Sequence, residues 1–292
     1  MMKMRLYPTL YVVFAFLFFS SVAYSDNDTR DYVPLPPGTM LMAAYFNSIS
    51  ATDMYRNGDK VSGNANLDAT IGIIRPVYYT QIGPFTIDPQ ALIIFGDQQL
   101  DGAAVGGVEM SSSGMADSIL AATFWFINDP QSKTWMGFTP FITIPIGEYD
   151  RNSGLNLGAN CWAFKGEIGY VKGFGKLFVD LTGNVEFYTD NEDYTAAGLT
   201  LSKDPLCTFE THLSYNFTDS FFMGMDYFYH FGGETEVDGI SSDDEKDDHA
   251  LQAVFGFMLS PSFQLLVKYK KAFEVDNGLK TNTFGVRLAH FF

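Results

Sequence analysis

Along most of the chain, apolar and polar residues alternate with a two-residue period. That is the repeat of an extended strand, whose successive side chains point to opposite faces. In LFVDLTGNVEFY, Leu177, Val179, Leu181, Val185 and Phe187 fall on one face, and Asp180, Thr182, Asn184 and Glu186 on the other. CTFETHLSYNF sets Cys207, Phe209, Leu213, Tyr215 and Phe217 against Thr208, Glu210, His212, Ser214 and Asn216. FFMGMDYFYHF sets Met223, Met225, Tyr227, Tyr229 and Phe231 against Asp226 and His230, and FQLLVKYKK sets Phe263, Leu265, Val267 and Tyr269 against Gln264, Lys268 and Lys270. The last residues keep the period: Phe284, Val286, Leu288, His290 and Phe292 alternate with Thr283, Gly285 and Arg287.

This pattern predicts twelve strands, near 38–49, 66–80, 84–97, 115–127, 134–147, 159–171, 175–189, 204–217, 220–232, 248–260, 262–273 and 281–292. Most are far longer than the roughly five or six residues of a soluble sheet, and long enough to cross a bilayer at a tilt. The connections sort by length as well. Short ones (QIGP, GFG, FTDS, SPS) take turns with long ones near 50–65, 98–114, 148–158, 190–203, 233–247 and 274–280. The fold class expected is all-β: one up-and-down antiparallel transmembrane β-barrel of about 12 strands over residues 38–292, both termini at the short-turn, periplasmic end. A soluble sandwich would have shorter strands and no sorting of turns. A soluble barrel would turn its many Phe, Tyr and Met side chains inward and need a more polar exterior than this chain offers. The strands near 38–49 and 115–127 alternate poorly, and their faces stay unassigned. The final strand is expected to close on the first, with its terminal Phe292 facing lipid. Tyr78, Tyr79, Trp135, Trp162, Tyr170 and Phe292 are expected in interfacial girdles.

Composition sharpens this picture. The chain carries 34 acidic and 18 basic residues, which argues against nucleic acid as a partner. With 28 Phe, 16 Tyr and 27 Gly it favours strands and tight turns. The first segment is the exception to the alternation. Lys3 and Arg5 precede an apolar run from Leu10 to Phe19, and Ala23-Tyr24-Ser25 offers a cleavage site, so residues 1–25 are expected to be a secretory signal peptide. Residues 26–37 are expected as a short Pro-rich periplasmic lead-in, and DYVPLPPGT (31–39) reads either as such a lead-in or as a small plug folded into the lumen. The histidines are scattered, so neither metal nor other cofactor is expected, and Cys161 and Cys207 do not by themselves establish a disulfide. The acidic run SSDDEKDDH reads as a solvated loop, with divalent cations bridging lipopolysaccharide as the sharper alternative.

One stretch goes beyond general barrel character: PFITIPIGEYDRNSGLNLGANCWAFKGEIGYVKGFGKLFVDLTGNVEFYTDN. A strand ends in P-x-G-x-Y-D, a loop carries L-N-L-G, W-x-F follows, and the next strand holds D-L-x-G-x-V-x-F-Y. Downstream come DPLCTFETHLSYNFT and FYHFGGETEVDG. This order resembles the family of outer-membrane transporters associated with the meta-cleavage pathway of phenol degradation, from about Pro36 onward and most densely between Pro140 and Gly239. The resemblance implies a channel for passive uptake of small hydrophobic or aromatic compounds in the outer membrane of a Gram-negative bacterium. Its partners would be outer-membrane lipid and lipopolysaccharide, the outer-membrane assembly machinery and the solutes.

The polar faces supply the candidate solute-contacting residues of the lumen: Asp180, Asn184, Glu186, Glu210, His212, Asp226, His230, Lys268, Lys270 and Arg287. Asp68, Thr70, Asp88, Gln90, Lys165, Glu167 and Gln264 are further inward candidates. Acids gather on the seventh to ninth strands and bases on the last two, which implies either a transverse field or a salt-bridge network holding the barrel's shape. Two other functions compete: a structural or adhesive barrel with a closed lumen, and a lipid-modifying enzyme in which His212 and Ser214 share a face. An enzyme is not expected, because no G-x-S-x-G elbow is present. Pro76, Pro89, Pro140 and Pro145 mark places where a strand ladder would open, since proline has no N–H to donate.

Overall fold

The computed structural model describes residues 26–292, so the expected signal peptide lies outside the described residues. Twelve long strands form the wall: β1 (Met40–Arg56), β2 (Asn66–Tyr78), β3 (Phe85–Asp101), β4 (Ser118–Asp129), β5 (Thr134–Ile144) and β6 (Ala163–Phe174) make the first half. β7 (Leu177–Tyr188), β8 (Leu206–Asn216), β9 (Phe221–Gly232), β10 (Lys246–Ser260), β11 (Phe263–Glu274) and β12 (Gly278–Phe291) make the second. Each pairs antiparallel with its neighbours in sequence, and β12 returns to β1 from Leu41↔Phe291 to Tyr55↔Gly278, so the sheet closes as a barrel. Closure leaves no unpaired strand edge, the condition for placing a sheet in lipid.

The strands run further at the long-loop end than alternation suggests. β1 continues to Arg56 and β3 to Asp101 because each gains a partner there: Asp59–Lys60 folds back on β1, and Met110–Met115 pairs with β3. Above β7 to β10, the short strands Asn191–Tyr194, Leu199–Lys203, Thr235–Val237 and Ile240–Ser241 form a separate small rim sheet. The acidic run takes part in this rim. Asp244 accepts from the backbone N–H and the hydroxyl of Thr235, so that stretch is ordered rather than simply solvated.

The outer face is a continuous belt of exposed apolar side chains, among them Phe95, Phe124, Ile168, Leu181, Leu213, Met225, Leu251 and Leu288. Inside, two regimes differ. Around β6 to β9 the inward positions are polar, as the alternation predicts. On β1 to β3, toward the long loops, they are apolar: Ile49, Ala51, Leu67, Ala69, Ile71, Leu92 and Ile94 form one buried cluster. Leu155 and Leu157 of the loop between β5 and β6 join that cluster, so the loop folds into the barrel mouth. Asp117 holds its base, accepting from the N–H groups of Gly147 (2.8 Å) and Ala159 (2.7 Å). The expected inward placing of Asp68 and Thr70 is corrected here. Leu67, Ala69 and Ile71 take the inner face because they have an apolar cluster to join, which turns Asp68 and Thr70 outward.

Two expected girdle residues are also corrected. Tyr79 and Trp135 are buried, with Tyr79 against Trp125 and Trp135 stacked on Phe178, because an inner element offers them apolar surface. The prolines act unevenly. The β2–β3 ladder skips the residues around Pro76, and the β4–β5 ladder skips from Ala121↔Phe141 to Phe124↔Phe138 around Pro140. The β5–β6 ladder runs unbroken through Pro140↔Gly166, and β3–β4 runs unbroken through Pro89↔Ala122. Pro145 follows the end of β5.

The inner element is the segment ahead of β1. Pro36 and Pro37 are exposed at the short-turn mouth, while Asn27, Asp28, Thr29 and Tyr32 are buried within the barrel. Two consecutive turns, closed by Asp31 N–H to Asp28 O and Val33 N–H to Arg30 O, keep it compact, with Arg30 in the left-handed region at φ 70°. A lead-in standing outside the barrel would leave these side chains in water. Inside, Asp28 meets cations, and Asn27, Thr29 and Tyr32 donate to carboxylates.

Candidate functional site

The lumen site is assembled by residues 26–32 against the inner faces of the strands. Asp28 is nearly inaccessible, and its carboxylate meets Lys268 of β11, Arg287 of β12 (2.8 Å) and the hydroxyl of Tyr45 on β1 (3.0 Å). Asp26 pairs with Lys270 and lies 3.3 Å from His230 Nε2. Asp31 takes Arg75 of β2 at 2.9 Å. The segment's donors face the acidic wall instead. Asn27 donates through its backbone and side chain to Glu210 (3.2 and 3.3 Å), and Thr29 donates its hydroxyl to Asp226 (3.1 Å). The Tyr32 hydroxyl donates to Glu167 (2.9 Å) and lies 2.7 Å from the Thr139 hydroxyl, while its carbonyl accepts from Trp125 Nε1 at 3.0 Å.

Arg30 is partly buried and held from several sides. Its backbone N–H donates to Asp180, its Nε donates to Ser214 Oγ (2.9 Å), and its guanidinium lies 4.2 Å from the Phe178 ring centre and 4.3 Å from that of Phe222. A cation between two ring faces gains electrostatic attraction as well as packing. The wall is shaped to admit these groups. A Cβ on Gly169 of β6 would fall 2.2 Å from the Tyr32 ring, and one on Gly256 of β10 would fall 2.0 Å from Phe222. Gly169→Val is therefore expected to evict Tyr32 and loosen the segment while leaving the β6 backbone paired. Trypsin cleavage after Arg30 in the folded protein is the readout, and cleavage no faster than in the wild type would contradict the packing described.

Electrostatics explain why the segment sits here. Burial alone would raise the Asp26 and Asp28 carboxyls, but Lys270 and His230 around Asp26, and Lys268 and Arg287 around Asp28, hold both well below the usual carboxylate range. Both therefore stay ionised and paired. The asymmetry between acids on β6 to β9 and bases on β11 and β12 becomes neither an open field nor a direct strand-to-strand network. The segment bridges it, with its own acids toward the bases and its donors toward the acids.

Of the residues the sequence singled out, Asp180, Glu210, Asp226, His230, Lys268, Lys270 and Arg287 all contact this segment. His212 lies behind it, with Nε2 3.1 Å from Glu210 and Nδ1 3.1 Å from Asp226. Asn184 reaches it at one remove, donating to Glu167 at 3.0 Å. Glu186 stands apart, accepting from Tyr188 at 2.7 Å. His212 is engaged by carboxylates and Ser214 by Arg30, so the two do not form the nucleophile and base of a hydrolase. Alternation could not reveal Asp26, Asn27, Asp28, Thr29, Arg30 and Tyr32, which belong to no strand. The sign in the sequence is a dense polar run, DNDTRDY, separated from β1 by the Pro-rich stretch 33–39.

Between the segment and the long loops lie two cavities, of about 260 and 140 Å³. The larger is lined by Tyr45, Ile73, Leu92, Lys268 and Lys270 among others, the smaller by Ile94, Ile119, Phe141, Tyr188 and Lys203, and both reach Asp26 and His230. Among the described residues no group of His, Cys, Asp and Glu is placed to hold a metal ion, and both cysteines are free thiols.

Comparison with known proteins places this architecture. The family described as "Putative MetA-pathway of phenol degradation" matches residues 52–288. The crystal structure of the COG4313 outer membrane channel from Pseudomonas putida F1 is similar at 27% identity, over 91% of this chain and 100% of that one, with a TM-score of 0.87. The beta domain of the Bordetella autotransporter Brka shares the barrel fold alone, at 10% identity over 86% of this chain and 99% of that one, with a TM-score of 0.53. No curated protein matches the chain.

Proposed function

The chain belongs to the phenol-degradation MetA-pathway family, and on that premise we propose that it is an outer-membrane channel for passive uptake of small hydrophobic or aromatic compounds. Its termini lie on the periplasmic side, and its lumen is restricted by its own residues 26–33. The observation that carries this reading is the lumen itself, which is not a filled core. A polar constriction held by side-chain contacts lies beside two cavities whose walls include Leu92, Ile94, Ile119 and Phe141. An apolar solute meets compatible surface there, while the constriction is made of reversible bonds rather than of the wall's ladder. The exposed apolar belt fits lipid contact, and the likeness to a channel of known structure supports the same assignment.

Proteoliposomes carrying the refolded mature chain test the reading. They are expected to admit a small labelled aromatic alcohol faster than protein-free vesicles, with saturation and with competition from toluene. Entry no faster than through protein-free vesicles would contradict it, and would favour a closed barrel with a structural or adhesive role.

A further inference from the structure

The charged lumen groups that hold the segment are each matched within the protein. Arg75 pairs with Asp31, Lys268 and Arg287 with Asp28, and Lys270 with Asp26. Lys203 differs. It ends the rim strand Leu199–Lys203, its ammonium turns into the barrel, and it lines both cavities. Its one specific contact among the described residues is the face of Tyr188, 4.3 Å from the ring centre, with neither an ion pair nor a hydrogen bond. Burial pushes it below the ordinary lysine range, against the opposing pull of Glu186. A buried ammonium with unused donors is costly to keep, and a bound anion would offset that cost.

The carboxylates around the smaller cavity are already engaged. Asp117 accepts from Gly147 and Ala159, Glu186 from Tyr188, Glu210 from Asn27 and His212, and Asp26 lies on Lys270. The other cation of this cavity, Lys165, lies 3.8 Å from Glu167 and 4.0 Å from the Phe141 ring centre, and the remaining lining mixes polar groups such as Thr143 and Asn184 with the apolar side chains of Ile94, Ile119, Phe141 and Leu206. The volume, about 140 Å³, is close to that of an apolar protein cavity of roughly 150 Å³ that accepts one benzene ring.

We propose that the smaller cavity is a binding site for single-ring aromatic carboxylates, the ring among Ile94, Ile119, Phe141 and Leu206 and the carboxylate on the Lys203 ammonium. The inference rests on the channel reading, because the ligand reaches this cavity only through the lumen. It deepens that reading by adding an anionic class to the neutral aromatic one. Lys203 selects for charge, while the apolar patch of Ile94, Ile119, Phe141 and Leu206 serves both classes.

The test compares benzoate with benzyl alcohol, which has a similar ring and no charge, by ligand-observed NMR titration of the refolded full chain at neutral pH. The wild type is expected to bind benzoate at least about tenfold more tightly, a difference of about 1.4 kcal/mol. Lys203→Met, which keeps an apolar stem, is expected to lower benzoate to the level of benzyl alcohol and leave benzyl alcohol within twofold of wild type. Lys203→Arg is expected to keep the preference. Equal benzoate affinity in the wild type and Lys203→Met would overturn the proposal, as would benzyl alcohol binding as tightly as benzoate. Uptake of neutral aromatics without charge preference would sink this inference alone. Absence of both uptake and binding would sink the channel reading with it.

Discussion

A chain lacking residues 26–33 is expected to conduct several times more current per channel than the full chain. The reason is positional. Residues 26–32 hold side chains of β1, β2, β4 to β9, β11 and β12, so the segment lies across the lumen rather than along one wall. The wall does not depend on it, because the ladder closes between β12 and β1. The truncated barrel is therefore expected to keep its resistance to dissociation in detergent while its lumen fills with water. Asp180, Glu210 and Asp226 would then face Lys268, Lys270 and Arg287 across that water, and the larger conductance should depend on salt as screening changes. Unchanged conductance would move the constriction to the inward loop bearing Leu155 and Leu157.

The second large effect is expected from Asp28→Ala. This carboxylate is 2% exposed and neutralises Lys268 and Arg287, which are 13% and 9% exposed. Removing it leaves two neighbouring cations without a counter-charge, with Arg287 keeping neutral Gln264 as a hydrogen-bond partner. Breaking a buried pair in this way costs about 3–5 kcal/mol. At about 1.4 kcal/mol per tenfold, that shifts the balance between seated and released segment by a factor of roughly a hundred or more. Full-length Asp28→Ala is expected to show frequent large openings and rapid tryptic cleavage after Arg30. The double variant Asp28→Ala with Lys268→Met is expected to recover part of the quiet state, because it removes one of the stranded charges. Protease resistance equal to wild type would show that the ion cluster does not hold the segment.

The wall was legible in the sequence because alternation and loop length report on the same geometry. Where outer and inner residues differ in polarity, as in Leu177 to Tyr188 and Leu206 to Asn216, the faces follow directly. They fail to follow on β1 and β2, where Ile49, Leu67 and Ile71 are inward and apolar, so that both faces read alike. Asp68 was misread for the same reason: polarity marks the lumen only while the lumen is polar. The site was half visible. Its wall residues stood out as charges on a strand's thin polar face, but their partners did not, because a segment without periodicity gives no sign of where it packs. DNDTRDY holds the complement of the wall's charges, a relation that appears only once β6 to β9 and β11 to β12 are known to face each other. Gly169 and Gly256, which make room for Tyr32 and Phe222, look like any other strand glycines until the inner layer is seen.

The measurement that tests the central claim most directly is single-channel recording of the refolded chain of residues 26–292 in a planar bilayer, with phenol added to one side. A restricted lumen lined by apolar cavities predicts small discrete openings that phenol interrupts reversibly and in proportion to its concentration. Openings indifferent to phenol, or a bilayer that stays silent with the full chain and with the chain lacking residues 26–33 alike, would contradict it.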